Sequence, residues 1–497
     1  MKKDFRVLLL YPNESLQGVA PASLGLLSAF LKNDGFDVKL FETTVYVNKE
    51  KIANDKLREK LGQVKKSNFD EFIKPKSSDM YEDFINLVNE YKPNLIGISL
   101  IDGTIKYGLS FIEKIKHLKI PIITGGVGTT FNYKKILDSG LVNYVCIGEG
   151  ELALLELANK LYSNEDTLNI KNIYTLNPDG SVHKNPLRPP IDLDSLPIPD
   201  FDIYEDWRFY RPFMGNVRRM IQIDTDRGCP FNCTYCAAPG LRKIYKEDRH
   251  NYFRIKGTDK LFEEITFLVK KYDIDFLWIS SETFMARSEK KFKEFAERYI
   301  KEIGLPFWTS NRLDTFTPEK TRLLAEMGCK AISVGVEHGS EIIRNTLLNK
   351  NVKNSTIIDA IKLISKYPSM VPSINNMIGI PDETRETIFE TIELNREIIS
   401  ISGNNHTMTS FIFVPFTGTQ LRELCIEKGY LEETADLPAS FFEESLLVMP
   451  TISKQELKGL ERVMMLYIIL PKSYWPDIRI AETDDEMFNK LMDLIRK

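Results

Sequence analysis

From Phe5 onward the sequence alternates short apolar runs with longer segments of helical spacing, and it does so twice. "FRVLLLY" is followed by "PASLGLLSAFLKNDG", "DVKLFET", "PNLIGISL", "GLSFIEKIKHLK", "IPIITGG", "YKKILDSG", "VNYVCIGEG" and "ELALLELANKLY". Short, nearly unbroken apolar runs read as strands buried on both faces, and the segments between them as amphipathic helices. Strand–helix–strand order demands parallel pairing, so residues 1–165 are expected to form an α/β, doubly wound, Rossmann-like sheet. A Lys-, Asn- and Asp-rich stretch from about 46 to 90 breaks the alternation and reads as a partly helical insertion.

The second alternation starts at "MIQIDTD" and runs through "DFLWISSE", "PFWTSNR", "AISVGVEHGS", "PSINNMIGIP" and "TMTSFIFVPF", with amphipathic helices between them, giving about six βα units over residues 214–420. Between the two alternations, residues 166–213 hold a hairpin pattern, "NIYTLNPDGSVHKN", with its turn at "PDG". The proline-rich "PLRPPIDLDSLPIPDFD" follows; its prolines fit neither a helix interior nor a central strand, so it is expected to link two domains. Residues 421–497 read as a C-terminal helical region, its Met, Tyr and Trp serving either as plain packing or as a cover for the barrel mouth.

A chain of 497 residues has room for two or three such units. Its net charge of −4 gives no general attraction to nucleic acid or to a membrane. No apolar run reaches the ~18 residues of a membrane span, and the start lacks a signal-peptide pattern. A cytoplasmic location is expected. There, the six cysteines are ligands or buried thiols rather than disulfides. Cys146, Cys329 and Cys425 stand alone in apolar contexts and read as core.

The other three, Cys229, Cys233 and Cys236, fall within "DTDRGCPFNCTYCAAPG", directly after a strand. The spacing is C-x3-C-x2-C. A structural zinc site closes with four protein ligands, and no second cysteine pair is present. A redox C-x-x-C leaves Cys229 without a purpose. Three thiolates on a cubane iron–sulfur cluster leave one iron without a protein ligand, open to something else.

This motif resembles that of the radical S-adenosylmethionine enzymes, and with it the second alternation resembles the partial (β/α)6, TIM-type barrel of that family. The resemblance implies that Cys229, Cys233 and Cys236 hold a [4Fe–4S] cluster whose fourth iron is chelated by S-adenosylmethionine. Reductive cleavage then gives a 5′-deoxyadenosyl radical, with an electron donor such as flavodoxin or ferredoxin as partner. It also implies that Tyr235 lies beside the adenine. Glu282, at the end of "SSE", corresponds to a residue gripping the methionine amino group, although the two glycines usual before it are absent. Glu337, in "VGVEHGS", matches a position that contacts S-adenosylmethionine. Asn311, Arg312 and Asn376 fall at strand C-termini, where such barrels carry their chemistry.

The order of the units resembles the cobalamin-binding branch of the family. Ligands of doubly wound sheets sit beyond the C-terminal strand ends. The loops there supply Ser99, Ile101 and Asp102 after the third strand, Gly125, Gly126, Gly128, Thr129 and Thr130 after the fourth, and Glu149 after the fifth. These are the candidate cobalamin contacts. "GEGELA" at 148–153 imitates a dinucleotide fingerprint but follows the wrong strand, so Glu149 and Glu151 also read as charges favouring a helix N-terminus. The first loop, "NESLQG", has no histidine, so base-off cobalamin without an axial imidazole from this loop is expected; His117 reads as a surface residue. The resemblance implies a methyltransferase acting on an unactivated carbon, or a phosphinate phosphorus, of a small-molecule substrate through the 5′-deoxyadenosyl radical and methylcobalamin. A non-methylating cyclisation or rearrangement, and a non-enzymatic corrinoid or iron–sulfur sensor, are the alternatives.

Overall fold

The strands of the N-terminal unit carry apolar side chains on both faces, and the two faces are buried by different helices. In the computed structural model, which describes residues 2, 4–13, 18–47, 54–403, 405–438 and 444–495, the first sheet contains β1 (Arg6–Tyr11), β2 (Asp37–Glu42), β3 (Leu95–Ser99), β4 (Ile122–Gly125), β5 (Tyr144–Cys146), β6 (Ile173–Leu176) and β7 (Val182–Lys184). Val7 and Leu9 of β1 pack with helices Ala22–Asn33 and Glu151–Tyr162. Leu8 and Leu10 pack with Met80–Tyr91, Ile105–Ile115 and Val127–Asp138. That period-2 partition is what a two-sided strand requires.

Strand order is β2-β1-β3-β4-β5-β6-β7, parallel through β5, with the β6–β7 hairpin added antiparallel at the edge. The hairpin expected in the linker is thus part of the first sheet. Within the expected 46–90 insertion, helix Met80–Tyr91 belongs to the core, burying Phe84, Val88 and Tyr91. The first-loop residues 14–17 lie outside the described residues.

The linker is packed rather than free. Asp200 accepts from Ser28 and Lys32, and fully buried Arg208 pairs with Glu42 at 3.0 Å. Then β8 (Tyr210–Phe213) turns back antiparallel onto β9 (Asn216–Asp224). The short β10 (Asp226–Arg227) and β11 (Arg254–Ile255) pair with each other. β12 (Phe276–Ser280), β13 (Phe307–Asn311), β14 (Cys329–Glu337), β15 (Val371–Ile378) and β16 (Thr407–Ile412) continue the second sheet in the order β16-β15-β14-β13-β12-β9-β8. Six of its strands are parallel, which makes it a half-barrel.

Alternation along these strands sorts apolar from polar. Ile221, Ile223, Leu277, Ile279, Ile332, Val334, Ile374 and Ile412 point out to the helical layer and are buried there. Between them Gln222, Asp224, Ser280, Ser310, Ser333, Ser373 and Asn375 are half-buried and line the lumen. The C-terminal helix Lys454–Ile469 packs on the outside of the barrel, with Leu457, Leu460 and Val463 in the same core and Ser410 donating to Met464 Sδ at 2.9 Å. Of the two roles open to the C-terminal helices, packing and a cover for the mouth, this one packs. Its apolar face matches the barrel's helical layer, whereas Leu431 and Leu447 lie nearer the mouth, clustered with Tyr235 and Met377.

Candidate functional site

Main-chain pairing between β9 and β12 is prolonged past the last strand residue by Thr225 N–H donating to Ser280 O at 3.1 Å. The chain then breaks away into the cysteine loop, so the three thiols stand at the C-terminal edge of the half-barrel. Several anchors fix the loop. Arg242 donates to the carbonyls of Cys229 and Phe231 and to Asn232 Oδ1. Thr234 Oγ1 donates to Leu347 O at 2.6 Å, and Asn349 to Asn232 O at 2.9 Å.

Cys236 caps helix Ala237–Glu247 and accepts from Ala238 N–H at 3.5 Å. The Arg312 guanidinium lies 3.4 Å from Cys233 Sγ and 3.8 Å from the centre of the Phe231 ring. Burial pushes the Cys229 thiol up and the Cys236 thiol up to about 12, and each is raised further by the neighbouring cysteines. Thiols in such a setting ionise when a cation compensates them. Three free, half-buried thiols on one loop, with a guanidinium and a helix N-terminus beside them, fit an anionic iron–sulfur cluster. Among the described residues no three metal-ligating side chains converge on a single ion; a cubane, with one thiolate per iron, holds its cysteines farther apart than one ion would.

Glu337 ends β14 with φ +68, where the register with β15 shifts. A left-handed non-glycine residue stores strain of order 1–3 kcal/mol and persists only where its surroundings impose it. Here Lys350 Nζ donates to Glu337 Oε1 at 2.6 Å and Tyr235 OH at 3.0 Å. A Cβ on Gly335 would overlap the Glu337 carboxylate, so only glycine leaves room for it to fold back over the sheet. The next residue, His338, is fully buried: its Nδ1 accepts from Ser340 N–H, which leaves Nε2–H to donate to Glu383 at 2.9 Å. Tyr235 is raised well above the ordinary phenol range by burial and by Glu337.

Glu282 is exposed at the end of β12. Its carboxyl is raised by the surrounding protein and by Asp226 and Asp224. Asp226 accepts from Thr225 Oγ1 at 2.8 Å, from Ser281 Oγ, and from Glu282 N–H at 3.2 Å. Burial raises it too. Asn311 is engaged within its loop, accepting from Met285 N–H at 3.0 Å and donating to Thr315. Asn376 points outward to Asn395, and its neighbour Asn375 is the residue that faces the lumen.

The C-terminal ends of the first sheet's strands meet this edge. Asp102 accepts from Asn132 and, across the domain boundary, from Thr417 N–H at 2.8 Å; burial raises its carboxyl. Both oxygens of Glu149 are engaged, by Arg227 at 3.0 Å, by Arg254, and by Ile191 N–H at 2.8 Å. Burial alone would raise this carboxyl, but Arg254 and Arg227 hold it below the usual range. Glu151 adds a 2.5 Å bond to Arg227. The Phe131 ring packs against Gly240 and Gly418 of the barrel.

Thr129 and Thr130 are buried and donate to Gly125 O and Gly126 O. Cβ atoms on Gly126 and Gly128 would overlap the backbone of Leu100–Asp102, so these glycines bring two loops of the sheet together. Ser99, Gly125, Gly126 and Glu149 line a slot of about 250 Å3 between β1, β3 and β4 and the helix Ala22–Asn33, with Arg227 and Tyr252 at its barrel side. Among the described residues no histidine lines it. Ile101 is an apolar side chain 48% exposed at the strand ends. A slot of this size would accept only a side arm of a cofactor as large as a corrinoid. His117 is exposed on the far side of its unit, and Cys146, Cys329 and Cys425 are buried.

Sequence reasoning did not single out Arg227, Arg254, Asp226 or Lys350. Asp226 and Arg227 stand inside "DTDRGC", where two charged residues before a ligand loop are a usable signal. Lys350 reaches Glu337 only through the fold.

The family model for the radical SAM superfamily matches residues 224–394, and that for the B12 binding domain matches residues 61–158. An uncharacterised methyltransferase of Pyrococcus horikoshii is 26% identical over 410 residues, covering 80% of this chain and 83% of its own. An anaerobic magnesium-protoporphyrin IX monomethyl ester cyclase of Rubrivivax gelatinosus is 27% identical over 478 residues, covering 93% and 76%. Among solved structures, the radical S-adenosylmethionine methyltransferase TsrM of Kitasatospora setae, with cobalamin and a [4Fe–4S] cluster bound, superposes with a TM-score of 0.64 at 17% identity, covering 90% and 83%.

Proposed function

Since the chain belongs to the cobalamin-binding branch of the radical S-adenosylmethionine superfamily, we propose that it is a methyltransferase that places a methyl group on an unactivated carbon, or a phosphinate phosphorus, of a small-molecule substrate. The observation that carries this reading is the meeting of the two sheets' C-terminal edges, at Asp102–Thr417, Glu149–Arg254 and Phe131–Gly240. A group held by the first sheet and one held by Cys229, Cys233 and Cys236 then face the same space.

When bound, the cluster supplies the electron that cleaves S-adenosylmethionine to a 5′-deoxyadenosyl radical, and the cobalamin supplies the methyl group. The chain's own residues do the rest. Glu282 offers a carboxylate to the methionine ammonium, and Glu337, steadied by Lys350 and Tyr235, offers another to S-adenosylmethionine. Arg312 balances thiolate charge at Cys233. Ser99, Gly125 and Gly126 offer a narrow slot to the cobalamin side arm, and Ile101 an apolar contact to a ring above the strand ends. The ion pairs of Glu149 with Arg227 and Arg254 hold the two units in register across the site. A base-off cobalamin fits a slot without histidine. One-electron reduction calls for a flavodoxin- or ferredoxin-like donor, and an oxygen-sensitive cluster suits the cytoplasm; no helix among the described residues is long and apolar enough to cross a membrane.

A second reading, ring closure, is favoured by the 93% of this chain that the cyclase relative spans. One experiment separates the two. The anaerobic protein is incubated with methyl-deuterated S-adenosylmethionine, reductant and a metabolite extract. Methyl transfer gives S-adenosylhomocysteine, 5′-deoxyadenosine and a product carrying the deuterated methyl. Ring closure gives 5′-deoxyadenosine and a product lighter by hydrogen. Absence of 5′-deoxyadenosine would remove both.

A further inference from the structure

The half-barrel holds a cavity of about 690 Å3 toward the N-terminal ends of its strands, away from the cysteine edge. Six parallel strands leave the side between β16 and β9 open, and residues 56–72 of the N-terminal unit close it. Arg58 Nη2 donates to Thr409 Oγ1 of β16 at 3.1 Å. Toward β8, the Phe69 ring lies 5.3 Å from the Arg211 guanidinium, and Phe72 packs on Tyr210 with centroids 5.3 Å apart. The turn of the β8–β9 hairpin, Gly215, sits on the backbone of Lys66. The segment that interrupts the first alternation of the sequence is the missing wall of the second.

The two sides of the cavity differ. Trp278 and Trp308 occupy paired positions on β12 and β13, their indoles stacked at 5.1 Å and 4°, with Met220 beyond them. On the following strands the cavity is lined by Ala331, Ser333, Ser373 and Thr407. The row of large flat side chains therefore stops at Trp308, and small residues leave space beside it. Across from it the inserted segment brings Lys56, Arg58, Lys65 and Lys66 together with Glu59 and Asp70, and Arg211 stands near them, so cations outnumber carboxylates on this wall. Asp70 is paired with Lys56 at 2.9 Å, whereas Lys65 and Lys66 are exposed and have no carboxylate partner among the described residues.

We propose that this chamber binds a planar aromatic anion, its ring continuing the stack on Trp308 and its phosphate or carboxylate held at Lys65 and Lys66. A cavity of this volume accepts a ligand of drug-like size. Binding here does not depend on the function proposed above, because the chamber lies at the opposite end of the barrel from the cysteine edge.

The full-length protein, reconstituted with its cluster, is titrated calorimetrically with 1-naphthyl phosphate, 1-naphthoate and 1-naphthol, without S-adenosylmethionine. Saturable one-to-one binding of at least one anion is expected, with naphthol roughly tenfold weaker or worse, since it lacks charge-assisted hydrogen bonds. The ratio of the two anions tells phosphate from carboxylate. Lys65→Ala/Lys66→Ala, at exposed positions, weakens the anions and leaves naphthol unchanged. Ala331→Leu, which fills the space beside Trp308, abolishes binding; Ser333→Val replaces it if that variant does not fold. Naphthol binding as tightly as the anions, no saturable binding of either anion, or indifference to the lysine and cavity-filling changes would each overturn the proposal. Anion binding together with no 5′-deoxyadenosine in the turnover assay would remove the methyl-transfer reading and leave this one standing.

Discussion

The two sheets present their C-terminal loops to the same space but use polar residues in opposite ways. On the first sheet Thr129, Thr130, Asp102 and Glu149 bond to protein: to their own helix, to the neighbouring loop, or across to the barrel. On the barrel, Glu282 is exposed, Cys229, Cys233 and Cys236 are half-buried around one another, and Glu337 is held in a left-handed conformation at the sheet edge. The first sheet offers shape, through close backbone and a slot. The barrel offers reactive groups. A cofactor that brings its own chemistry needs only a cradle, whereas a cluster and a sulfonium must be held by charged and sulfur ligands.

The largest effect expected from this contrast is within the cysteines themselves. Cys233→Ala should reduce bound iron and 5′-deoxyadenosine formation to the level of a protein-free control, while Cys329→Ala and Cys425→Ala, in the core, keep both. Iron analysis and product chromatography read this.

Next is the joint between the sheets. Glu149→Gln leaves Arg227 and Arg254 facing a neutral amide in a buried site and should cost about 3 kcal/mol, as for removal of one partner of a buried ion pair, measured by denaturant unfolding. The sign with pH follows. The Glu149 carboxyl is held below its ordinary value in the folded state, so its contribution is complete above the unfolded carboxylate range, about 4.3, and is lost as pH falls through the folded value. The wild type should lose stability in acid more steeply than the variant.

Glu282 runs the other way. Its carboxyl is raised in the folded protein, so its contribution is present below the unfolded value and is lost as pH rises through the folded one. A ligand ammonium reverses this by favouring the carboxylate. S-adenosylmethionine binding on the acid side of neutrality should therefore release protons in the wild type and none through this group in Glu282→Gln, as seen by calorimetry in buffers of different ionisation enthalpy.

The smallest effect tests the cradle. Thr129→Val removes a hydroxyl that donates to Gly125 O at the end of β4, so it should cost about 1 kcal/mol and leave cobalamin retention unchanged. A large loss of bound corrinoid would break the contrast.

Much of this was legible in the chain. Strand and helix alternate with clear periods, and three cysteines after a strand with no fourth nearby already suggest an open cluster. Other features were hidden for physical reasons. Helix Ala237–Glu247 begins with Pro239 and Gly240 in its first turns, which conceals its start. The edge strand β8 carries too few apolar residues to stand out. Asn376 falls at a strand's C-terminal end, yet the period of two along β15 puts it on the outward face with Ile374 and Ile378, and Asn375 faces the lumen. The wall formed by residues 56–72 was out of reach, because Arg58 and Thr409 are 351 positions apart. The paired tryptophans were visible in "DFLWIS" and "PFWTS", fourth and third in the quoted runs, yet only the strand register shows that they stack.

The central claim is that Cys229, Cys233 and Cys236 hold a cluster with one corner left for S-adenosylmethionine. Its most direct test is electron paramagnetic resonance of the reduced, anaerobic protein before and after S-adenosylmethionine is added, beside the variant with all three cysteines changed to alanine. The account predicts iron and sulfide in equal amounts and a spectrum that changes when S-adenosylmethionine binds, all absent from the variant. A spectrum indifferent to S-adenosylmethionine, or iron and sulfide retained without the three thiols, would contradict it.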